Sequence, residues 1–244
     1  MTIKTETPLI EPLFRMMGLP PSLVRYCPVS STKPLRTIYL RDSPLVKGLD
    51  ASWDDTCLLT TVDGEADQLG HLKLSGPAAG KPVTGVHLSL FGGKGQLNLV
   101  LGGDHLKVVI GAGTILRGGL HLATKATAFI GDNTTMGQAR LTASYADLVV
   151  GDDCQFSEDV AVQCNDQHAL CDAETGVPIH TQRRHVRIGR HVWLGRRAMV
   201  LPDVTIGAGS VVESGAVVSG NVQPNTMVGG APAQVLREKV TWKR

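Results

Sequence analysis

Little of this sequence is aromatic: Phe, Trp and Tyr together make up 4% of its 244 residues. A core built on large rings is excluded, so the plentiful Val, Leu, Ile and Ala must fill the interior. Together with 28 glycines, that composition favours short strands joined by many tight turns. Charge is almost balanced, with 24 Lys and Arg against 22 Asp and Glu, and a formal charge of +2 sets up no field that would hold nucleic acid or an anionic membrane. Cysteine is scarce. Cys27, Cys57, Cys154, Cys164 and Cys171 are odd in number and contain no CxxC pair, which argues against a disulfide framework or zinc ribbon and for free thiols in a reducing compartment. No apolar run approaches the roughly 20 residues of a membrane span, and the opening stretch, with Lys4, Glu6, Pro8, Glu11 and Pro12, has no signal-like apolar core. The expectation is a cytoplasmic protein with one extended domain, no membrane span and no nucleic-acid partner.

What the sequence does contain is a period of six. Ile188, Leu194, Val200, Ile206, Val212 and Val218 recur at every sixth position, Gly189, Gly195 and Gly207 follow three of them, and Val192, Ala198, Val204, Ser210 and Ala216 form a second row of small or branched residues. Six fits neither a helix nor a half-buried alternating strand. Three hexads, each a short strand and a turn, close a triangular coil of about 18 residues, and stacked coils pair at strand spacing. The aliphatic residue points inward on each face, and glycine accommodates the turns. This predicts an all-β parallel β-helix.

Upstream the period is weaker. Ile110 and Leu116, Ile130 and Met136, and Val150, Phe156 and Val162 read as earlier coils, but Thr142 stands where an aliphatic residue is due, so bulged corners are expected. Before Val83 no hexads are visible, and residues 1–82 read as an N-terminal cap or extension. The stack then spans 83–230. Pro232 is placed to start a short helix carrying Val235, Leu236 and Arg237, so 231–244 reads as a capping helix and tail.

Counting sixes from Val150 through Phe156 and Val162 arrives at His168, yet the next regular hexad begins at Ile188. Residues 169–187 between them are polar and loop-like, and loops leaving a rigid scaffold often carry chemistry. An imidazole titrating near neutrality can take the proton of a poorly nucleophilic hydroxyl. His180, His185 and His191 suggest a metal site, but His185 and His191 are one hexad apart and fall on successive faces, so no metal is expected.

The His before an extruded loop, then IGRHVWLG, then LPDVTIGAGSVVESGAVVSGNVQPNTMVGGAPAQVLRE together resemble the hexapeptide acyltransferase family, in its branch of galactoside, maltose, xenobiotic and capsular-polysaccharide O-acetyltransferases. The resemblance covers about residues 150–240. It implies a left-handed β-helix, a handedness the period alone does not supply, and a homotrimer with its active site in a cleft between two subunits. It further implies that acetyl-CoA donates an acetyl group directly to a sugar or polysaccharide hydroxyl, with His168 as general base and Trp193 beside the thioester; from the sequence itself, Asp166 is the nearest candidate to orient the His168 ring, and Asp166 and His185 are expected on the acceptor side. Gly195, Arg196, Ser214 and Ser219 are implied to line the path of CoA, with Arg237 at its phosphates. Ser219, Gly220 and Asn221 replace the Thr-Lys-Asp of many relatives, removing one cationic contact. An amino-sugar N-acetyltransferase, a xenobiotic acetyltransferase and a longer acyl donor remain open, and a catalytically silent scaffold would leave the break at His168 without a purpose. If Trp193 borders the thioester, its fluorescence should respond to CoA far more than that of Trp53 or Trp242.

Overall fold

The structure, a computed structural model, describes residues 3–5, 35–46, 52–62, 72–76 and 82–244, the first of these as backbone only. Short parallel strands wind into a triangular stack. One face is a sheet in which Leu58–Val62, His87–Leu90, Lys107–Ile110, Thr127–Ile130, Ala146–Val150, Arg184–Ile188 and Val204–Ile206 follow one another in parallel. The second face runs through Thr135–Ser144 at its start, Gln155–Phe156, Trp193–Leu194, Val211–Val212 and Thr226–Gly229. The third runs through Leu72–Ser75, the later halves of Gly93–Leu101, Thr114–Ala123 and Thr135–Ser144, then Ala161–Gln163, Met199–Val200 and Val217–Val218.

Every aliphatic residue of the six-residue row, from Ile110 to Val218, lies in one continuous buried core. The second row, Val192, Ala198, Val204 and Ala216, is fully buried with it, and the buried Ser210 hydroxyl is satisfied by the Gln223 carbonyl at 2.8 Å. Alternation along each strand explains the selection, because successive side chains point to opposite faces.

The upstream irregularity has a definite cause. Leu88, Val108, Ala128 and Leu148 stack in register, so each of these coils takes 20 residues, whereas Val186 and Val204 are 18 apart. A bulge adds one residue at a corner, where Leu116 pairs with Met136 but Gly118 with Ala139. Thr142 accordingly points outward between His121 and Gln163, and Leu141 and Ala143 take the buried positions.

The glycines act differently from expectation. The left-handed corners fall on His191, Arg197, Asp203, Gly209 and Gly215, again six apart. Gly189, Gly195 and Gly207 instead sit where a Cβ would come within 2.3–2.7 Å of backbone in the next coil. They set coil spacing rather than turn handedness.

Two boundaries move. The parallel stack reaches back to Leu58–Val62 and Leu72–Ser75, inside the segment expected as a separate cap, and Leu35–Tyr39 adds antiparallel to it. Most of residues 1–82 otherwise lie outside the described residues. The C-terminal helix is not formed. Gln234–Glu238 is a strand, antiparallel to Thr226–Gly229. The open backbone edge of the last coil offers ladder hydrogen bonds to the returning chain, which outweigh a short helix's weak local preference.

Candidate active site

The loop leaves the third face after Ala161–Gln163 and returns at Arg184–Ile188, a little earlier than the expected end at 187. In register, Val186 follows Leu148 by 38 residues instead of 18 or 20, so the insertion amounts to about one extra coil's length of chain. It is folded: Ile179 N–H donates to the Leu170 carbonyl at 2.8 Å and Gly176 N–H to that of Asp172 at 2.9 Å, and the Asp172 carboxylate accepts from Thr175 N–H at 2.7 Å. Those hydrogen bonds hold its carboxyl below the usual range. At the return, Arg183 donates to Asp147, to the Lys125 carbonyl at 2.7 Å and to Thr127 at 3.1 Å, pinning the loop to two earlier coils. Leu170, Val177 and Ile179 are more than half exposed on it.

His168 stands exposed at the loop's root, in an open groove lined by Gln163, Asp166, Gln167, Ala169 and Leu170. Among the described residues no side chain holds its ring. Asp166, the expected neighbour, is taken by Arg184, which also donates to Asp203 at 2.9 Å, and it lies 3.9 Å from His180. His185 is half-buried on the returning strand, 3.7 Å from Asp203. Desolvation, with Arg187 adding to it, lowers its imidazole pKa, which favours a neutral ring.

Trp193 is on another face. Its ring is exposed, as the narrow coil demands, and its indole N–H donates to Ser157 at 3.1 Å. Gly195, Arg196 and Ser214 share the corner beyond it: Gly195 N–H bonds the Val212 carbonyl at 2.8 Å, Gly215 N–H bonds the Arg196 carbonyl at 2.8 Å, and the Arg196 guanidinium pairs with Glu158. Ser219 follows Val217–Val218 on the third face, at the corner where, further up the stack, the loop departs. The expected site residues therefore divide into two groups on one chain. His168, Asp166 and Ser219 hold one corner, and Trp193, Gly195, Arg196 and Ser214 another, with outward-facing Met199 and Val217 on the face between. Arg237 is exposed on the terminal strand opposite Met227. Among the described residues no three metal-ligating side chains converge.

A tail contact was hidden from sequence reasoning. Trp242 stacks on His191 with ring centroids 4.2 Å apart, and donates its indole N–H to the His191 carbonyl at 2.8 Å. His191 bonds Asp153 at 2.7 Å. Arg244 reaches Asp153 at 2.8 Å and the carbonyls of Asn133 and Cys154 at 2.8 and 3.0 Å. Trp242 thereby comes to 6.3 Å from Trp193, centroid to centroid, so the expectation that the two tryptophans report separately does not hold. Residues that meet across 51 and 91 positions leave no local signal.

Residues 185–220 match the family model described as bacterial transferase hexapeptide (six repeats). Over 72 residues the chain is 36% identical to galactoside O-acetyltransferase of Escherichia coli K12, covering 26% of this chain and 36% of that protein. Over 52 residues it is 46% identical to a chloramphenicol acetyltransferase of Escherichia coli, covering 21% and 25%. The chain thus spans about a quarter to a third of the length of these relatives. The solved structure of the polySia-specific acetyltransferase NeuO superposes with a TM-score of 0.65 at 19% identity, covering 80% of this chain and 83% of that one. Residues 185–220 carry hexapeptide repeats, and the chain has the left-handed parallel β-helix fold.

Proposed function

We propose that this protein transfers an acetyl group from acetyl-CoA to a hydroxyl of a sugar or polysaccharide. The observation that carries the reading is the break in the stack: between Gln163 and Arg184 the coils give way to a folded loop whose root presents an exposed imidazole to an open groove. The names of relatives, galactoside O-acetyltransferase and polySia-specific acetyltransferase, support an acetyl donor and a carbohydrate acceptor.

In this reading the neutral His168 imidazole takes the hydroxyl proton as the oxygen attacks the thioester carbonyl. The tetrahedral intermediate collapses with loss of the CoA thiolate, which recovers the proton from the imidazolium. Trp193 borders the thioester. The pantetheine arm lies along Met199 and Val217 between the two corners, with Gly195, Arg196, Ser214 and Ser219 beside it and Arg237 facing the phosphates. Asp166, tied to Arg184, positions the loop and not the ring, and His185 flanks the acceptor.

The split of these residues over two corners supports a homotrimer in which one subunit supplies His168 and its neighbour Trp193. Leu170, Val177 and Ile179, exposed on the loop, are the apolar surface such a neighbour would cover. Sedimentation is expected to give three chains per particle, and a monomer at micromolar concentration would oppose it. Thiol release from acetyl-CoA against a panel of oligosaccharides, amino sugars and chloramphenicol tests the acceptor. The chloramphenicol acetyltransferase match supports the runner-up, a xenobiotic acceptor, which turnover confined to chloramphenicol would favour.

A further inference from the structure

Beyond His168 toward the N-terminal coils the third face carries a second groove, about 370 Å³ in volume, lined among others by His121, Arg140, Thr142, Ser144, Asn165 and Gln167. Gln167 lines both this groove and the one at His168, so the two adjoin. Strand register builds it. His121, Thr142 and Gln163 stand side by side on successive coils, and Arg140 stands between Gly119 and Ala161. Coils are spaced by about 4.8 Å and alternate residues by about 6.6 Å, so these outward side chains cover an area larger than one sugar ring.

The chemistry of the lining is one-sided. No acidic side chain lines the groove, and among the described residues the Arg140 guanidinium has no ion-pair or hydrogen-bond partner. Its ladder neighbours, Gly119 and Ala161, are too small to cover it. Gly119 is also where the His121 ring lies, since a Cβ there would come within 2.7 Å of its Nε2. Burial, with Arg140 adding to it, lowers the His121 pKa. A neutral ring beside a fixed cation can donate or accept one hydrogen bond without competing for an anion. Thr142, Ser144, Asn165 and Gln167 add hydroxyl and amide groups, Val100, Leu122, Ala123 and Ala143 add apolar surface, and no Phe, Tyr or Trp ring is among the lining residues.

We propose that this groove is a binding subsite for a carboxylate-bearing oligosaccharide, whose carboxylate is held by Arg140 and whose hydroxyls meet His121, Thr142 and Asn165 while the chain continues toward His168. A planar guanidinium with free N–H groups matches a carboxylate in two parallel hydrogen bonds. The open form, with polar groups set among small apolar side chains, suits a segment of a polymer better than a compact metabolite. The placement beside His168 rests on the transferase reading, but binding itself does not.

The test is equilibrium binding, without acetyl-CoA, of oligogalacturonate, a hyaluronan tetrasaccharide and oligosialic acid, each alongside its carboxyl-reduced form, to wild type and Arg140→Gln. At least one acidic oligosaccharide is expected to bind, to weaken about tenfold or more on carboxyl reduction, and to weaken equally with Arg140→Gln. Arg140→Gln should keep the wild-type melting temperature. Equal binding of acidic and reduced forms, indifference to Arg140→Gln, or binding of none of the three overturns the proposal. Thiol release measured in parallel separates the two readings. Acid-selective binding without turnover removes the transferase and leaves the subsite, and turnover on neutral sugars without acid-selective binding does the reverse.

Discussion

Replacing Gly195 by Ala separates coil spacing from every other role of that residue. A Cβ there would stand 2.6 Å from Ser214 N, 2.8 Å from Glu213 C and 2.9 Å from Val212 O, all backbone of the next coil, which cannot rotate aside as a side chain would. The coils must part, straining the bond from Gly195 N–H to Val212 O at 2.8 Å. Overpacking of this kind costs about 1–3 kcal/mol, which for a chain of this size is about 2–12 °C of melting temperature. Gly220 is the matched control. It lies two residues past the core-row Val218, where a Cβ meets nothing within 4 Å and the backbone is not left-handed. Gly220→Ala should be neutral or gain about 0.4–1 kcal/mol through the unfolded state. Thermal melts followed by far-UV circular dichroism at equal concentrations make the comparison. If Gly195→Ala melted alongside Gly220→Ala, the close approach would not be what requires glycine, and contact with CoA would have to account for it.

Three further outcomes are expected. Adding CoA should change tryptophan emission, and because Trp193 and Trp242 are neighbours both single variants are needed: the change should survive Trp242→Phe and vanish in Trp193→Phe, and its persistence in the latter would remove Trp193 from the site. Burial raises the Asp153 pKa, but hydrogen bonds from His191 and Arg244 outweigh it and leave the carboxyl below its ordinary value. The stability it lends is therefore present above the unfolded carboxylate pKa and lost as pH falls through the lower folded value, so Asp153→Asn should speed hydrogen exchange in residues 240–244 near pH 7, with the difference from wild type closing as pH falls through that lowered value. A tail equally protected in both at neutral pH would contradict this. Burial pushes the Cys154 thiol up to about 12 and that of Cys164 up as well, so iodoacetamide at pH 8 should modify exposed Cys171 in the native protein and spare those two, as peptide mass spectrometry would show; rapid labelling of Cys154 would mean the stack opens there.

Where one residue choice serves one local geometry, the sequence was readable. The row from Ile188 to Val218 is visible because each member fills the same place in an 18-residue coil, and the loop after His168 is visible because it interrupts that row. Upstream, 20-residue coils keep the same interior but add residues at corners, so Thr142 looks like an error until Leu141 and Ala143 are seen to face inward. Leu58–Val62 and Leu72–Ser75 joined the stack without hexads to announce them. Val235, Leu236 and Arg237 suit a helix or a strand, and only the open edge of the last coil decides for the strand. The site was legible as a list but not as an arrangement, because sequence spacing does not say that His168 and Trp193 occupy different corners. Arg140 and His121 gave no signal either, because they are 19 residues apart in sequence and only the pairing of Gly119 with Arg140 and of His121 with Thr142 brings them together.

The most direct test of the account is His168→Ala, assayed for thiol release from acetyl-CoA with the best acceptor of the panel and, separately, for acetyl-CoA binding and melting temperature. The ring is exposed and fills no core space, so binding and stability should stay at wild-type values while turnover falls about 10²- to 10⁴-fold. Turnover above about a tenth of wild type at saturating substrates would contradict the central claim and move the search for the base to His180, His185 and His191.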